Sequence, residues 1–120
     1  MENIRRTAEI SKLFVDCGIV TICCLVSPKK NMRDIAKKIV GDKNFHEVFI
    51  ATSLEDCEIR DTKGLYQKAR SGKVLNFTGV SSRYETPIKP SLIIPTKGIN
   101  IEESSEILYK FVFPLISELR

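Results

Sequence analysis

The N-terminal part of the chain alternates between two kinds of hydrophobic pattern. From 2 to 17 the apolar side chains keep the i, i+3, i+4, i+7 spacing of an amphipathic helix, at Ile10, Leu13, Phe14 and Cys17. The run 19–26 (I-V-T-I-C-C-L-V) is nearly all apolar and rich in β-branched residues, which indicates a strand buried on both faces. Residues 30–40 return to the helical period, and the cations of this helix, Arg33 included, are interpreted as its solvated face.

The middle of the chain begins with a second apolar run. Residues 46–51 (H-E-V-F-I-A) favour a strand. Ser53 and Asp56 then have the spacing of a capping box, which predicts a short helix from there to Arg60.

The C-terminal part contains one more strand and one more helix. Prolines bracket a short predicted strand at 91–94. A final helix is expected over 101–119, with Pro114 kinking or breaking it because proline removes one backbone hydrogen bond. Strands that alternate with helices in this way predict an α/β fold with a parallel sheet and flanking helices.

Length and composition restrict the possible functions. A chain of 120 residues with 42% apolar content allows one domain with an ordinary core. The net charge of +4 suits anionic ligands but is too weak for a nucleic-acid-binding surface, so no nucleic-acid partner is expected. The longest apolar run, 18–26, is too short to cross a bilayer, and the first residues lack the apolar core of a secretion signal. A cytoplasmic protein without membrane contact is therefore expected.

The cysteines do not indicate a metal site. Four cysteines and one histidine show none of the paired short spacings that zinc sites use, so no metal ligand is assigned. Reduced and buried thiols are expected.

The stretch from Arg60 to Glu85 combines cations, aromatic rings and glycines. Its cations are Arg60, Lys63, Lys68, Arg70, Lys73 and Arg83, and its aromatic residues are Tyr66, Phe77 and Tyr84. Clustered cations beside a ring that can stack suit a ligand with a phosphate and a base. The plain alternative is a solvated helix followed by its turn.

The motifs in this stretch are more specific than its composition. K-G-L-Y-x-K-A-R-x-G-x-x-x-x-F-T-G followed by Y-E-x-P resembles the lid of adenylylsulfate kinases, and the resemblance extends from E-N-I-R-R near the start to the last helix. It implies a P-loop-kinase-like fold and transfer of the ATP γ-phosphoryl group to the 3′-hydroxyl of adenosine 5′-phosphosulfate (adenylylsulfate), with Mg²⁺, in sulfate assimilation. The product of that reaction is PAPS. Residues 1–120 would then be one partial domain, with the lid at 60–87.

The resemblance also assigns roles to individual residues. Contacts with adenylylsulfate are implied for Asn3, Val26, Ser27, Lys63, Asn76 and Phe77, with Phe77 stacking on the adenine, Lys63 pairing with the anionic end and Asn76 contributing a backbone contact. Arg60 resembles the residue that covers the ATP adenine, and Lys68 and Arg70 are assigned to the nucleotide side of the lid. From the residues alone, Asn3 is equally suited to cap its helix, and Ser27 to be a helix cap or turn residue.

Some family features are absent from this sequence. Ala51 and Ser53 replace the Asp and Pro of the family pattern, and no G-x-x-x-x-G-K-[ST] loop is present to hold ATP and Mg²⁺. In the family the P-loop strand lies between the strands predicted at 19–26 and 46–51. The chain is therefore expected to repack, to pair with another chain or to be marginally stable, and to have low activity alone, with no catalytic residue assigned.

Three interpretations of the chain stay open at this point. It is the acceptor-substrate half of a kinase, completed by a P-loop half or by a homo-oligomer. Alternatively, it is a non-catalytic remnant that binds a nucleotide or a complete kinase subunit. A truncated product without a settled function is the third.

Overall fold

The computed structural model describes residues 1–117, which divide into two compact units. Unit 1 comprises 1–47 and 85–88, and unit 2 comprises 48–84 and the residues from 89 onward. The elements in chain order are α1 (Glu2–Asp16), α2 (Lys30–Val40), β1 (Val48–Ala51), α3 (Leu54–Arg60), α4 (Leu65–Arg70), β2 (Leu92–Pro95) and α5 (Ile101–Ser117). The chain is thus α/β, as the sequence predicts.

Unit 1 is built on two helices that pack against each other. The predicted helices over 2–17 and 30–40 are confirmed as α1 and α2. Ala8 and Ser11 are the buried residues of α1. The Ser11 hydroxyl donates to the Thr7 carbonyl at 2.7 Å and lies 3.1 Å from Cys23 Sγ, so it connects the helix to the segment that follows.

The segment 19–26 is not the buried strand that its sequence predicts. Its residues belong to no strand, and Ile22 and Val26 are 68% and 66% exposed. Within the described part of the chain, no backbone–backbone hydrogen bond involves residues 20–26. The physical reason is that a strand exists only through a hydrogen-bonded neighbour, and the described residues offer this segment none.

Unit 2 contains a sheet of two parallel strands. The strands predicted at 46–51 and 91–94 are confirmed as β1 and β2, with bounds shifted by one or two residues, and Ile50 aligns with Ile94 in their register. Ile94 is only 2% exposed, and α5 packs against the same strand. The most buried side chain of the sheet is therefore in the strand that α5 covers.

Two local predictions have different outcomes. Ser53 caps α3 as expected, since its hydroxyl accepts the Asp56 N–H at 3.0 Å. Pro114 does not break the last helix, because α5 continues through it to Ser117. The predicted end of this helix at 119 lies outside the described residues.

The cysteines differ from expectation in burial. All four are free, as predicted, but three of them are exposed and Cys57 is half-buried. Two of the exposed thiols belong to the unpaired segment 19–26, so the burial expected for them depended on the same missing neighbour strand.

Candidate functional site

A pocket in unit 2 gathers part of the predicted site. Its volume is about 240 Å³, and it is lined by residues from the end of β1, from α3 and from the loop that leads into α4. Arg60 and Lys63 line it, together with Thr52, Cys57 and Tyr66. The structure thus brings two of the predicted cations to one concave surface, which also includes Asp61.

Arg60 is held in a defined orientation at this pocket. Its Nη2 donates to the Thr96 carbonyl at 3.0 Å, and its Nη1 lies 3.4 Å from the Thr96 hydroxyl. The Thr96 hydroxyl also bonds to that of Thr52, so residues just past the ends of both strands contribute. The two bonds to Thr96 orient the guanidinium plane at the pocket.

The loop that carries Lys63 is anchored by Asp61, which the sequence analysis missed. The two carboxylate oxygens of Asp61 accept the N–H groups of Tyr66 and Gln67 at 3.0 and 3.1 Å. These are unsatisfied donors of the first turn of α4, and a carboxylate is favoured there. An Asp shortly before a Gly and a new helix is the sequence signal that could have identified this anchor.

Phe77 contacts Tyr66, which lines the pocket. The two ring centroids are 5.0 Å apart with an interplanar angle of 79°, an edge-to-face arrangement. The Phe77 N–H donates to the Ser81 hydroxyl at 2.8 Å, and its carbonyl accepts from the N–H groups of residues 80–82. The Phe77 side chain is half-buried, and its backbone lies in a turn that these hydrogen bonds hold together.

The neighbours of Phe77 show how this turn is formed. Asn76 has a φ of +54°, a left-handed conformation that Asn adopts more readily than most residues. Gly79 has a φ of +91°, and a Cβ there would lie 3.1 Å from Leu54 Cδ1. The positive φ favours glycine at this position, and a Cβ there would also require the Leu54 side chain to shift.

The structure does not bring Lys68 and Arg70 to the pocket. Arg70 Nε donates to Glu58 Oε1 at 2.5 Å, and this carboxylate raises the pKa of Arg70. Lys68 is exposed on α4. The pocket lining includes neither residue.

The remaining predicted site residues belong to unit 1. Asn3 is exposed within α1, and Val26 is 66% exposed. Ser27 is half-buried and has a φ of +35°. The cap alternatives are wrong, because α1 begins after Met1 and α2 after Lys29, each without a side-chain cap bond.

Arg33 corrects the interpretation of α2 as having only solvated cations. It is 7% exposed, and its Nη1 donates to the Ser27 carbonyl at 2.7 Å. Arg33, Ala36 and Val40 share the i, i+3, i+7 spacing of one helix face. This spacing places Arg33 on the same face as two apolar residues and could have indicated its burial. The usual location of arginine at protein surfaces favoured the opposite interpretation.

The described residues do not fit a metal ion or a membrane span. Within 1–117, no group of three His, Cys, Asp or Glu side chains could hold a metal ion. No helix in that same range is long and apolar enough to cross a bilayer.

The chain matches known proteins over most of its length. Residues 1–95 match the family model described as adenylylsulphate kinase. The adenylyl-sulfate kinase of Bacteroides thetaiotaomicron is 49% identical over 118 residues, which is 98% of this chain and 59% of that protein. The probable adenylyl-sulfate kinase of Halalkalibacterium halodurans is 50% identical over 111 residues, covering 92% of this chain and 55% of its own length.

A solved structure gives the same match in three dimensions. The APS kinase of Mycobacterium tuberculosis in complex with AMPPNP and APS is 38% identical, with a TM-score of 0.84. The match covers 93% of this chain and 65% of that one. The chain therefore spans less than two thirds of the length of these relatives.

Tyr66 is expected to keep its proton above pH 10. Burial raises the pKa of Tyr66 above its ordinary value of 10, and its hydrogen bond with Cys57 raises it further. Because the folded state binds this proton more tightly than the unfolded chain, the free energy of unfolding should fall as the pH rises from 10 through the folded-state pKa. The measurement is a tyrosinate absorbance titration of the wild type minus Tyr66→Phe.

The control for this titration is Cys57→Ala. In this variant the ionisation of Tyr66 should occur at lower pH than in the wild type. Its pKa should still stay above the ordinary value, because burial, the larger cause of the shift, remains. A Tyr66 that ionises at or below pH 10 in the folded protein would contradict the packing described here.

Proposed function

This chain belongs to the adenylylsulphate kinase family, and we propose that it supplies the acceptor-substrate part of a kinase that transfers the γ-phosphoryl group of ATP to the 3′-hydroxyl of adenylylsulfate. The observation that supports this most strongly is the lid sequence with its two anchored members, Lys63 beside the pocket and Phe77 against Tyr66. PAPS would be the product, made for sulfate assimilation. We propose that residues 1–120 form part of one such kinase domain.

Lys63 and Phe77 have distinct proposed roles. Phe77 stacks on the adenine of adenylylsulfate, and its edge-to-face contact with Tyr66 fixes the ring before the ligand arrives. Lys63 pairs with the phosphosulfate, and Asp61 holds its loop by two hydrogen bonds to α4. Asn76 contributes its backbone, whose left-handed conformation directs the chain into the Phe77 turn.

In unit 1, we assign contacts with adenylylsulfate to Asn3, Val26 and Ser27. The support for Ser27 is its conformation, a φ of +35° held by a hydrogen bond from Arg33. Asn3 has an exposed side chain on the first turn of α1, where an amide can donate to a ligand.

The nucleotide side of the reaction is assigned more narrowly. Arg60 is proposed to cover the ATP adenine, since its guanidinium is already oriented by Thr96. Lys68, an exposed cation of the lid, is proposed to contact the nucleotide. Arg70 is proposed for the same side, but it would have to break its bond with Glu58 before it could contact the nucleotide. We assign no Mg²⁺ ligand among the described residues.

The exposed segment 19–26 favours a polypeptide partner as well. A segment with the sequence of a strand that is apolar on both faces requires neighbours to cover it, yet Ile22 is 68% exposed here. We propose that the partner is a polypeptide carrying the P-loop half of an adenylylsulfate kinase, which would supply the binding of ATP and Mg²⁺. A non-catalytic remnant that pairs with a complete subunit is the second candidate, favoured by the same exposed surface.

Calorimetric titration with adenylylsulfate tests the binding residues. Phe77→Ala should weaken binding about 5- to 150-fold, the range for loss of one base–aromatic stack. Lys63→Gln should weaken it about 10- to 150-fold, because a charge-assisted hydrogen bond is lost. The matched controls are Leu75→Ala and Lys73→Gln, two exposed residues of the same lid, and both should bind like the wild type.

A folded wild-type chain that does not bind adenylylsulfate would contradict the proposal. Equal losses in the controls and in the two site variants would contradict the assignment of Phe77 and Lys63.

Complementation tests the proposed partner. The chain is mixed with a polypeptide containing the part of the B. thetaiotaomicron kinase that it does not match, and ADP formation that depends on adenylylsulfate is measured. Activity should appear only in the mixture, and Ile22→Asp should abolish both activity and co-elution. Ile59→Asp is the control, since Ile59 is 82% exposed but lies on α3.

Two results would overturn the complementation proposal. One is a chain that is as active alone as in the mixture. The other is self-association of the chain that Ile22→Asp abolishes while the added polypeptide has no effect, which would identify the partner as a second copy.

A further inference from the structure

Arg33 is the only charged residue that is buried within the described part of the chain. A buried charge is unfavourable unless its surroundings satisfy it. Its position on α2 is surrounded by three separate segments of unit 1, each of which supplies an acceptor. The burial of Arg33 therefore depends on these three segments staying in place.

The three acceptors are arranged around one guanidinium. Nη1 donates to the Ser27 carbonyl at 2.7 Å, and Nη2 donates to the Glu85 carbonyl, also at 2.7 Å. Nε lies 3.2 Å from the Glu47 carboxylate, which balances the charge. One planar group thus joins the turn before α2 to the end of the lid motif Y-E-x-P.

Glu85 reinforces the same junction from its own side. Its N–H donates to the Pro28 carbonyl at 2.7 Å, and its carboxylate accepts the Lys30 N–H at 2.7 Å. Lys30 is the first residue of α2, where a carboxylate is favoured. Ser27 and Glu85 are therefore fixed relative to each other within unit 1.

The conformation of Ser27 makes this bond important. A φ of +35° is rarely adopted by a residue with a side chain, and it persists only where the surroundings determine it. The Arg33 bond acts on the carbonyl of Ser27 itself. Without it, the backbone of Ser27 is free to relax to a conformation that aims the hydroxyl elsewhere.

We propose that Arg33 is a positioning residue, whose guanidinium fork fixes Ser27 for adenylylsulfate and anchors the end of the lid at Glu85. This inference rests on the proposed function of Ser27. Two carbonyls on different segments require the fork of arginine, which the single ammonium group of lysine does not reproduce.

The experiment compares four variants by two readouts. Arg33→Lys keeps the charge, Arg33→Gln removes it, Glu47→Gln removes the ion pair but keeps both carbonyl bonds, and Lys38→Gln removes an exposed cation of the same helix. Amide hydrogen exchange at Glu85 reports the anchor without any ligand, and calorimetry reports the Kd for adenylylsulfate. Circular dichroism confirms that each variant is folded.

In Arg33→Lys and Arg33→Gln, Glu85 exchange should accelerate about tenfold or more and the Kd should rise about tenfold, as expected for loss of charge-assisted bonds. Lys38→Gln should stay within about twofold of the wild type in both readouts, because it changes an exposed side chain. Glu47→Gln keeps the carbonyl fork but leaves the buried charge without its carboxylate, so it should show a loss in both readouts that is clearly smaller than that of the Arg33 variants.

Three results would overturn the proposal. They are unchanged Glu85 exchange in Arg33→Lys, full rescue of the Kd by lysine, and equal losses in Glu47→Gln, which would mean that the ion pair alone matters. If the folded wild type does not bind adenylylsulfate, the proposed function fails and the positioning role fails with it. The exchange at Glu85 then still decides whether Arg33 anchors the lid.

Discussion

The packing of this chain is governed by how its apolar strands are covered. A parallel strand is stable when its faces are buried and its edges are paired. The sheet meets this requirement in part, since Ile94 is 2% exposed in a strand that pairs with β1 and packs against α5, whereas Ile93 is 53% exposed. The segment 19–26 does not, and Ile22 stays 68% exposed. The contrast explains why a polypeptide partner is part of the proposed function.

The proposed site is built by polar anchors that act on loops rather than by a large core. Asp61 holds the loop of Lys63, Thr96 orients Arg60, and Ser81 closes the turn of Phe77. Each anchor is a short-range bond to a backbone or side-chain group within unit 2. These loops of unit 2 keep their local geometry without requiring many buried apolar residues, because each bond satisfies a donor that would otherwise be left unpaired.

The sequence predicts local elements well and their environment less well. Helices α1 and α2 and both strands of the sheet follow from periodicity and capping, which are local properties. The strand at 19–26 was predicted wrongly because pairing depends on a distant neighbour. Arg33 was predicted to be solvated because its partners, Ser27 and Glu85, come from segments that are adjacent only after folding. In the site, the lid residues were recognisable from their motif, whereas the anchoring role of Asp61 was missed, although an Asp shortly before a Gly and a new helix is a signal for it.

The central claim is that this chain binds the adenine of adenylylsulfate at the turn of Phe77. Photolabelling with an azidoadenine analogue of adenylylsulfate tests it most directly. Trypsin cleaves after Lys73 and Arg83, so the turn is recovered as the single peptide 74–83. The account predicts that the label attaches to this peptide and that excess adenylylsulfate prevents it. Labelling elsewhere, or labelling that adenylylsulfate does not prevent, would contradict the account.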